Sequence, residues 1–100
     1  MEKLTNELLE AIKESGLYHN SDCSQLSELS KQQGLRNGKG YTHTQIRNVI
    51  KYQFATTKEL ITLIMSFYES KQAMREKIEA EQKRMASKFL LAKQLKPVYA

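Results

Sequence analysis

Only one cysteine, Cys23, occurs in the 100 residues, so there is no internal disulfide and no thiolate pair to hold a structural zinc ion. Such usage fits a reducing cytoplasm. Tryptophan is missing, proline occurs once, at Pro97, and there are four glycines, which leaves little to interrupt helices along most of the chain. An all-α fold is the expected class. No uninterrupted apolar run approaches the ~20 residues of a bilayer-spanning helix. The N-terminus alternates charged and apolar residues, unlike the basic start and apolar stretch of a secretory leader. Membrane insertion and secretion are therefore not expected, and a cytoplasmic location is. A chain of this length supplies one small domain with one modest core.

The most informative absence is that of acids in the middle of the chain. Residues 29–58 contain no Asp or Glu but carry Lys31, Arg36, Lys39, Arg47, Lys51 and Lys58. The acids of the N-terminal half, Glu2, Glu7, Glu10, Glu14, Asp22 and Glu28, all precede that stretch. The net charge of +5 is thus concentrated, giving a local field of the kind that attracts a polyanion. An ordinary solvated basic face has the same composition, so charge alone does not decide. A second acid-free run, Lys83, Arg84, Lys88, Lys93 and Lys96, follows Glu81. It says less, because basic residues also gather at helix C-termini for dipole reasons.

Apolar periodicity predicts where the helices fall. Leu4, Leu8, Leu9 and Ile12 give a first helix over residues 3–15, with Thr5 or Asn6 as cap and Gly16 as stop. A second, over 23–33, places Leu26 and Leu29 inward, takes Ser21 or Asp22 as cap and ends at Gly34. Residues 35–41 contain Asn37-Gly38 and Gly40, turn chemistry that suggests a short hairpin-like excursion. Thr42 caps a third helix over 43–55, with Ile46, Val49, Ile50 and Phe54 on one face and Thr44, Gln45, Arg47, Asn48 and Lys51 on the other. Thr56 with Glu59 has capping-box spacing for a fourth helix. Its first part, 57–68, completes a domain of residues 1–68, and 69–100 continues it.

This last helix meets no proline or glycine before Pro97. Leu60, Ile64, Phe67, Met74, Ile78 and Met85 alternate by threes and fours, with Lys71 and Glu81 interrupting and Phe89 one place out of register. A narrow apolar stripe on a charged helix is the pattern of a two-helix seam. Phe67, Met74, Ile78, Met85 and Phe89 are accordingly expected to form a homodimer contact. The alternatives are a helix that binds another protein, or one that breaks near Ser70, its second half folding back as a hairpin or staying frayed and solvated in a monomer.

Residues 26–51, LSELSKQQGLRNGKGYTHTQIRNVIK, resemble the helix-turn-helix segment of large serine recombinases and related mobile-element DNA-binding proteins. The likeness spans about residues 24–54. It rests on Gly34-Leu35-Arg36 at a helix end, the basic glycine turn from Gly38 to Gly40, the aromatic and cap Tyr41-Thr42, and Ile46-Arg47-Asn48-Val49-Ile50. Ser30 stands where such sequences often have Asn, and no catalytic serine domain precedes the segment. The resemblance therefore implies DNA contact and not recombination.

On that reading Thr42, His43, Thr44, Gln45, Arg47 and Asn48 lie nearest a major groove, because the N-terminal part of such a helix reaches base edges. Gln45 and Asn48 have the chemistry to pair with adenine, and Arg47 with guanine. Arg36, Lys39 and Lys51 are placed to hold phosphates. Tyr41, before a cap, is expected to pack as a staple. Neither His19 nor His43 has Cys or carboxylates at ligand spacing, so no metal site is expected. No P-loop, dinucleotide fingerprint or carboxylate pair is present, and Ser21, His19 and Asp22, neighbours in one loop, cannot orient as a triad. The chain is thus expected to need no cofactor, to catalyse nothing and to bind double-stranded DNA. It would act as a transcriptional regulator or as an accessory factor of a plasmid, phage or other mobile element. The rival expectation is an adaptor, antitoxin or phage-encoded inhibitor acting through its C-terminal helix.

Overall fold

The computed structural model describes residues 1–95, with side chains through Lys93; Lys96 and Pro97, and the end of the expected 69–100 segment, lie outside the described residues. The fold is all-α: three short helices, α1 (Asn6–Glu14), α2 (Asp22–Gln32) and α3 (His43–Lys51), then a long C-terminal α4 (Lys58–Leu95). Met1–Ser70 form one compact unit, and the chain from Lys71 forms another.

Helix α1 begins where the hydroxyl of Thr5 accepts the backbone N–H of Leu8 at 3.2 Å, satisfying a donor the first turn cannot. It stops at Ser15, before the left-handed Gly16. Its start is later than the expected Lys3, because Thr5 is still extended and Glu2 is held in a bridge to Thr56. Glu2 and Thr56 exchange backbone hydrogen bonds of 2.8 and 2.7 Å in an antiparallel bridge. Leu4 is thereby delivered into the core from outside any helix.

Ser21 and Asp22 do not cap α2 as expected. Ser21 has helical backbone angles and makes no side-chain cap bond; its hydroxyl lies 2.8 Å from Nδ1 of His19. The Asp22 carboxylate is buried and accepts the His19 N–H and the Tyr68 hydroxyl, both at 2.9 Å. The other end of α2 is as the sequence predicts. Gly34 has φ +69°, Leu35 N–H reaches the Ser30 carbonyl at 3.0 Å, and Gly34 N–H reaches that of Lys31 at 3.1 Å. That double closure is a Schellman motif.

No hairpin follows. Arg36 and Asn37 both adopt positive φ, 54° and 57°, ahead of Gly38 at 88°, so the chain curls tightly on itself. Gly40 then lies so close to α2 that a Cβ there would meet Lys31 backbone atoms at 2.9 and 3.0 Å. Two serines of α2 fasten the curl: Tyr41 N–H donates to Ser30 Oγ at 2.7 Å, and Ser27 Oγ donates to the Tyr41 carbonyl at 2.7 Å. Tyr41 packs as expected, its ring buried in the core.

Helix α3 stops at Lys51, four residues before the expected Ala55. Gln53 takes φ +56° without being glycine, and its side-chain amide donates to the Leu4 carbonyl at 2.6 Å. The N-terminal segment, remote in sequence, ends this helix. Phe54 therefore leaves the apolar face assigned to it and is 54% exposed, beside Tyr52.

The Thr56–Glu59 box does not form either. Thr56 is in the bridge to Glu2; Thr57 takes the cap position, its hydroxyl accepting Leu60 N–H at 3.4 Å. Glu59 instead accepts Arg36 N–H at 3.1 Å and the Tyr41 hydroxyl at 2.9 Å. Leu60, Ile61, Leu63, Ile64 and Tyr68 are buried with Leu9, Ile12, Leu26, Ile46, Val49 and Ile50 in one core. Phe67, assigned to a dimer seam, is half-buried and packs on this core. In the second unit Met74, Ile78, Met85 and Phe89 are exposed, as are Leu90 and Leu91. Among the described residues no helix is long and apolar enough to cross a membrane.

Candidate nucleic-acid interface

α2 and α3 pack on each other across the glycine curl, which fixes α3 by one face. Ile46, Val49 and Ile50 point into the core, and at 100° per residue the remaining positions must face outward. Thr42 starts the helix with a complete capping box: its hydroxyl accepts Gln45 N–H at 3.1 Å, and Gln45 Oε1 accepts Thr42 N–H at 2.9 Å. Such a cap contributes about 0.5 to 2 kcal/mol.

The expected site residues separate into two groups along that outward surface. His43, Arg47 and Lys51 succeed one another at intervals of four and are all exposed. They line a cavity of about 230 Å³ together with Tyr18, Asn20 and Cys23. On the other flank Arg36, Gln45 and Asn48 border a second cavity of about 320 Å³, with Tyr41 and Phe54 in its wall. Thr44, exposed, borders neither cavity, and Lys39 is exposed on the curl.

One assigned role changes. The carbonyl oxygen of Gln45, which an adenine amino group would need, accepts both Thr42 N–H and the Arg36 guanidinium at 3.2 Å. Gln45 thus ties the curl to the start of α3. Arg36 is held at two points, its N–H by Glu59 and its guanidinium by Gln45, so its positive φ is fixed by tertiary bonds.

The electrostatics of the first cavity follow from its floor. Burial first, then the Asp22 carboxylate, pushes the Cys23 thiol above its ordinary range, while Arg47 and Lys51 pull the other way. Tyr18 is likewise raised, first by burial and then by Cys23 and Asp22, with Arg47 opposing. The positive groups of α3 are therefore near enough to act on this loop.

No protein-family model, curated protein or solved structure matches the chain.

Its chemistry rests on its own side chains. Tyr18 and Asn20 were not among the sequence candidates, since nothing local in a polar loop marks them as neighbours of a helix some 25 residues on. The 43, 47, 51 spacing was visible, and it alone signals a shared stripe. Phe54 was missed as a surface aromatic because its place on the apolar face of the expected third helix implied burial, and Tyr52 lay within that helix with no role assigned.

Proposed function

We propose that the chain is a sequence-specific double-stranded DNA-binding protein, not an enzyme, with α3 as its reading helix. The observation that carries this is the outward face of α3. His43, Thr44, Arg47 and Lys51 are exposed there, Asn48 is half-buried beside them, and no carboxylate occurs from residue 29 to 58. Of the acids around this region, Asp22 is bonded to Tyr68 and Glu59 to Tyr41, while Glu28 is exposed on α2. Thr44 and Asn48 are the side chains available to base edges in a major groove. Arg36 and Lys39 flank them at phosphate positions.

A role in transcriptional regulation or as a plasmid or phage accessory factor rests on the likeness of residues 24–54 to mobile-element helix-turn-helix segments. Two copies joined through the exposed stripe of α4 would read two half-sites. Selection of bound sequences from a random duplex library is the test: one enriched motif supports the reading, and binding without enrichment, or none in moderate salt, refutes sequence-specific recognition.

A second reading is favoured by the exposed Met74, Ile78, Met85, Phe89, Leu90 and Leu91. Side chains of this kind can lie in the groove of another protein, which would make the chain an adaptor, antitoxin or inhibitor. It predicts a stable complex with a protein and no selection of duplexes.

A further inference from the structure

We propose that the cavity between α3 and the loop preceding α2 is a binding site for a phosphate group. Three basic side chains, His43, Arg47 and Lys51, stand on one stripe of α3 and line it, and Tyr18 and Asn20, residue types that carry neutral donors, line it from the loop before α2. At about 230 Å³ it holds a tetrahedral oxyanion with part of its hydration. Asp22, whose charge acts on the lining residues Cys23 and Tyr18, is 1% exposed and is hydrogen-bonded to His19 N–H and the Tyr68 hydroxyl, and it is not among the residues that line the cavity. Basic groups gathered around a concave wall are what an oxyanion requires.

This moves Arg47 from base reading to phosphate holding. A phosphodiester as the source rests on the DNA reading above; affinity of the cavity for the oxyanion does not. The two are separated by two measurements on the full chain. In the first, inorganic phosphate is titrated at constant ionic strength while the His43 ring, the Arg47 Nε–H and the Asn20 amide are followed by NMR. Saturable shifts at these groups, abolished in Arg47→Gln, are expected; shifts spread evenly over surface lysines overturn the site. In the second, duplex affinity is measured against salt. The Arg47→Gln, Lys51→Gln double variant should lose about two units of the salt slope, and Lys13→Gln none. Saturable phosphate shifts without duplex binding keep the site, assign it to free phosphate or a phosphomonoester, and sink the DNA reading. Duplex binding with an unchanged slope and no phosphate shifts keeps the DNA reading and removes the site.

A second inference rests on a separate observation, the order of charges on α4. We infer that the exposed stripe beyond Lys71 pairs antiparallel with that of a second copy. Lys71, Glu81 and Lys88 share the three-four spacing of Met74, Ile78 and Met85. A parallel, in-register pair would set each of these charges against its own copy. Reversal about residue 83 sets the acid-bearing stretch with Glu76, Glu79 and Glu81 against residues 85–90, which contain no acid and carry Lys88, and it also opposes the helix dipoles. In the matching alignment Glu81 faces Met85 of the second copy and lies next to that copy's Lys88. Mixing Glu81→Cys and Met85→Cys chains under mild oxidation should give the mixed disulfide in large excess over either homodimer. Preferential Met85→Cys homodimers, or a monomer at all concentrations in sedimentation, would overturn the pairing.

Discussion

The phenol of Tyr68, on α4, donates a 2.9 Å hydrogen bond to the carboxylate of Asp22, the first residue of α2, with both side chains buried. This pair fixes the start of α2 beneath the α3 surface, and through it the loop that carries Tyr18 and Asn20.

Replacing Tyr68 by Phe removes that donor and leaves a buried carboxylate short of a partner, which costs about 1 to 3 kcal/mol. Burial, followed by the Asp22 bond and charge, pushes the Tyr68 phenol far above its ordinary value of 10.0. A group raised on folding contributes stability that is complete below its unfolded value and is lost as pH climbs toward the folded one. Urea midpoints of the native chain should therefore fall from pH 10 upward, and the Tyr68→Phe variant, less stable at neutral pH, should show a shallower fall. Parallel curves would mean that Tyr68 does not carry the alkaline transition.

Gly40 and Gly34 both have positive φ, 70° and 69°, but only Gly40 presses on backbone. Gly34→Ala should cost about 1 to 2 kcal/mol for its backbone conformation alone. Gly40→Ala adds the clash with Lys31 and should cost about 1 to 3 kcal/mol more. Chemical unfolding of both variants checks the order; equal losses would show that the curl can lift away from α2.

Gln45→Ala tests cap against base reading. Loss of the capping box should lower stability by about 1 kcal/mol and weaken all duplexes alike. Asn48→Ala should instead relax selectivity at one base pair by about 1 to 3 kcal/mol. Binding of each variant to a panel of single-substitution duplexes decides; selectivity lost with Gln45 rather than Asn48 would reverse the two roles.

Lys39, exposed on the curl, is expected to act on affinity without selectivity. Lys39→Ala should weaken every duplex uniformly and flatten the salt slope by about one unit. An unchanged slope takes Lys39 out of the interface.

Ile78→Lys places a charge in the exposed stripe of the second unit, at a residue that is not part of the buried core cluster. Self-association measured by sedimentation should be lost, with far-ultraviolet circular dichroism unchanged. Persistence of the dimer would place the contact elsewhere.

Local chemistry determined a good part of this protein. The all-α class, the Schellman stop at Gly34, the Thr42 cap and the outward stripe of α3 follow from residue types and from a period of 3.6, both of which act within a few positions. What the tertiary structure decided involves partners distant in sequence. Leu4 stops α3 through Gln53, Glu2 withdraws Thr56 from its cap, Tyr41 and Arg36 draw Glu59 away from a capping box, and Tyr68 turns Asp22 inward. The basic face could be read along the chain because its members share one helix. The cavity beneath it could not, because Tyr18 and Asn20 meet that helix only once a common core has brought them together.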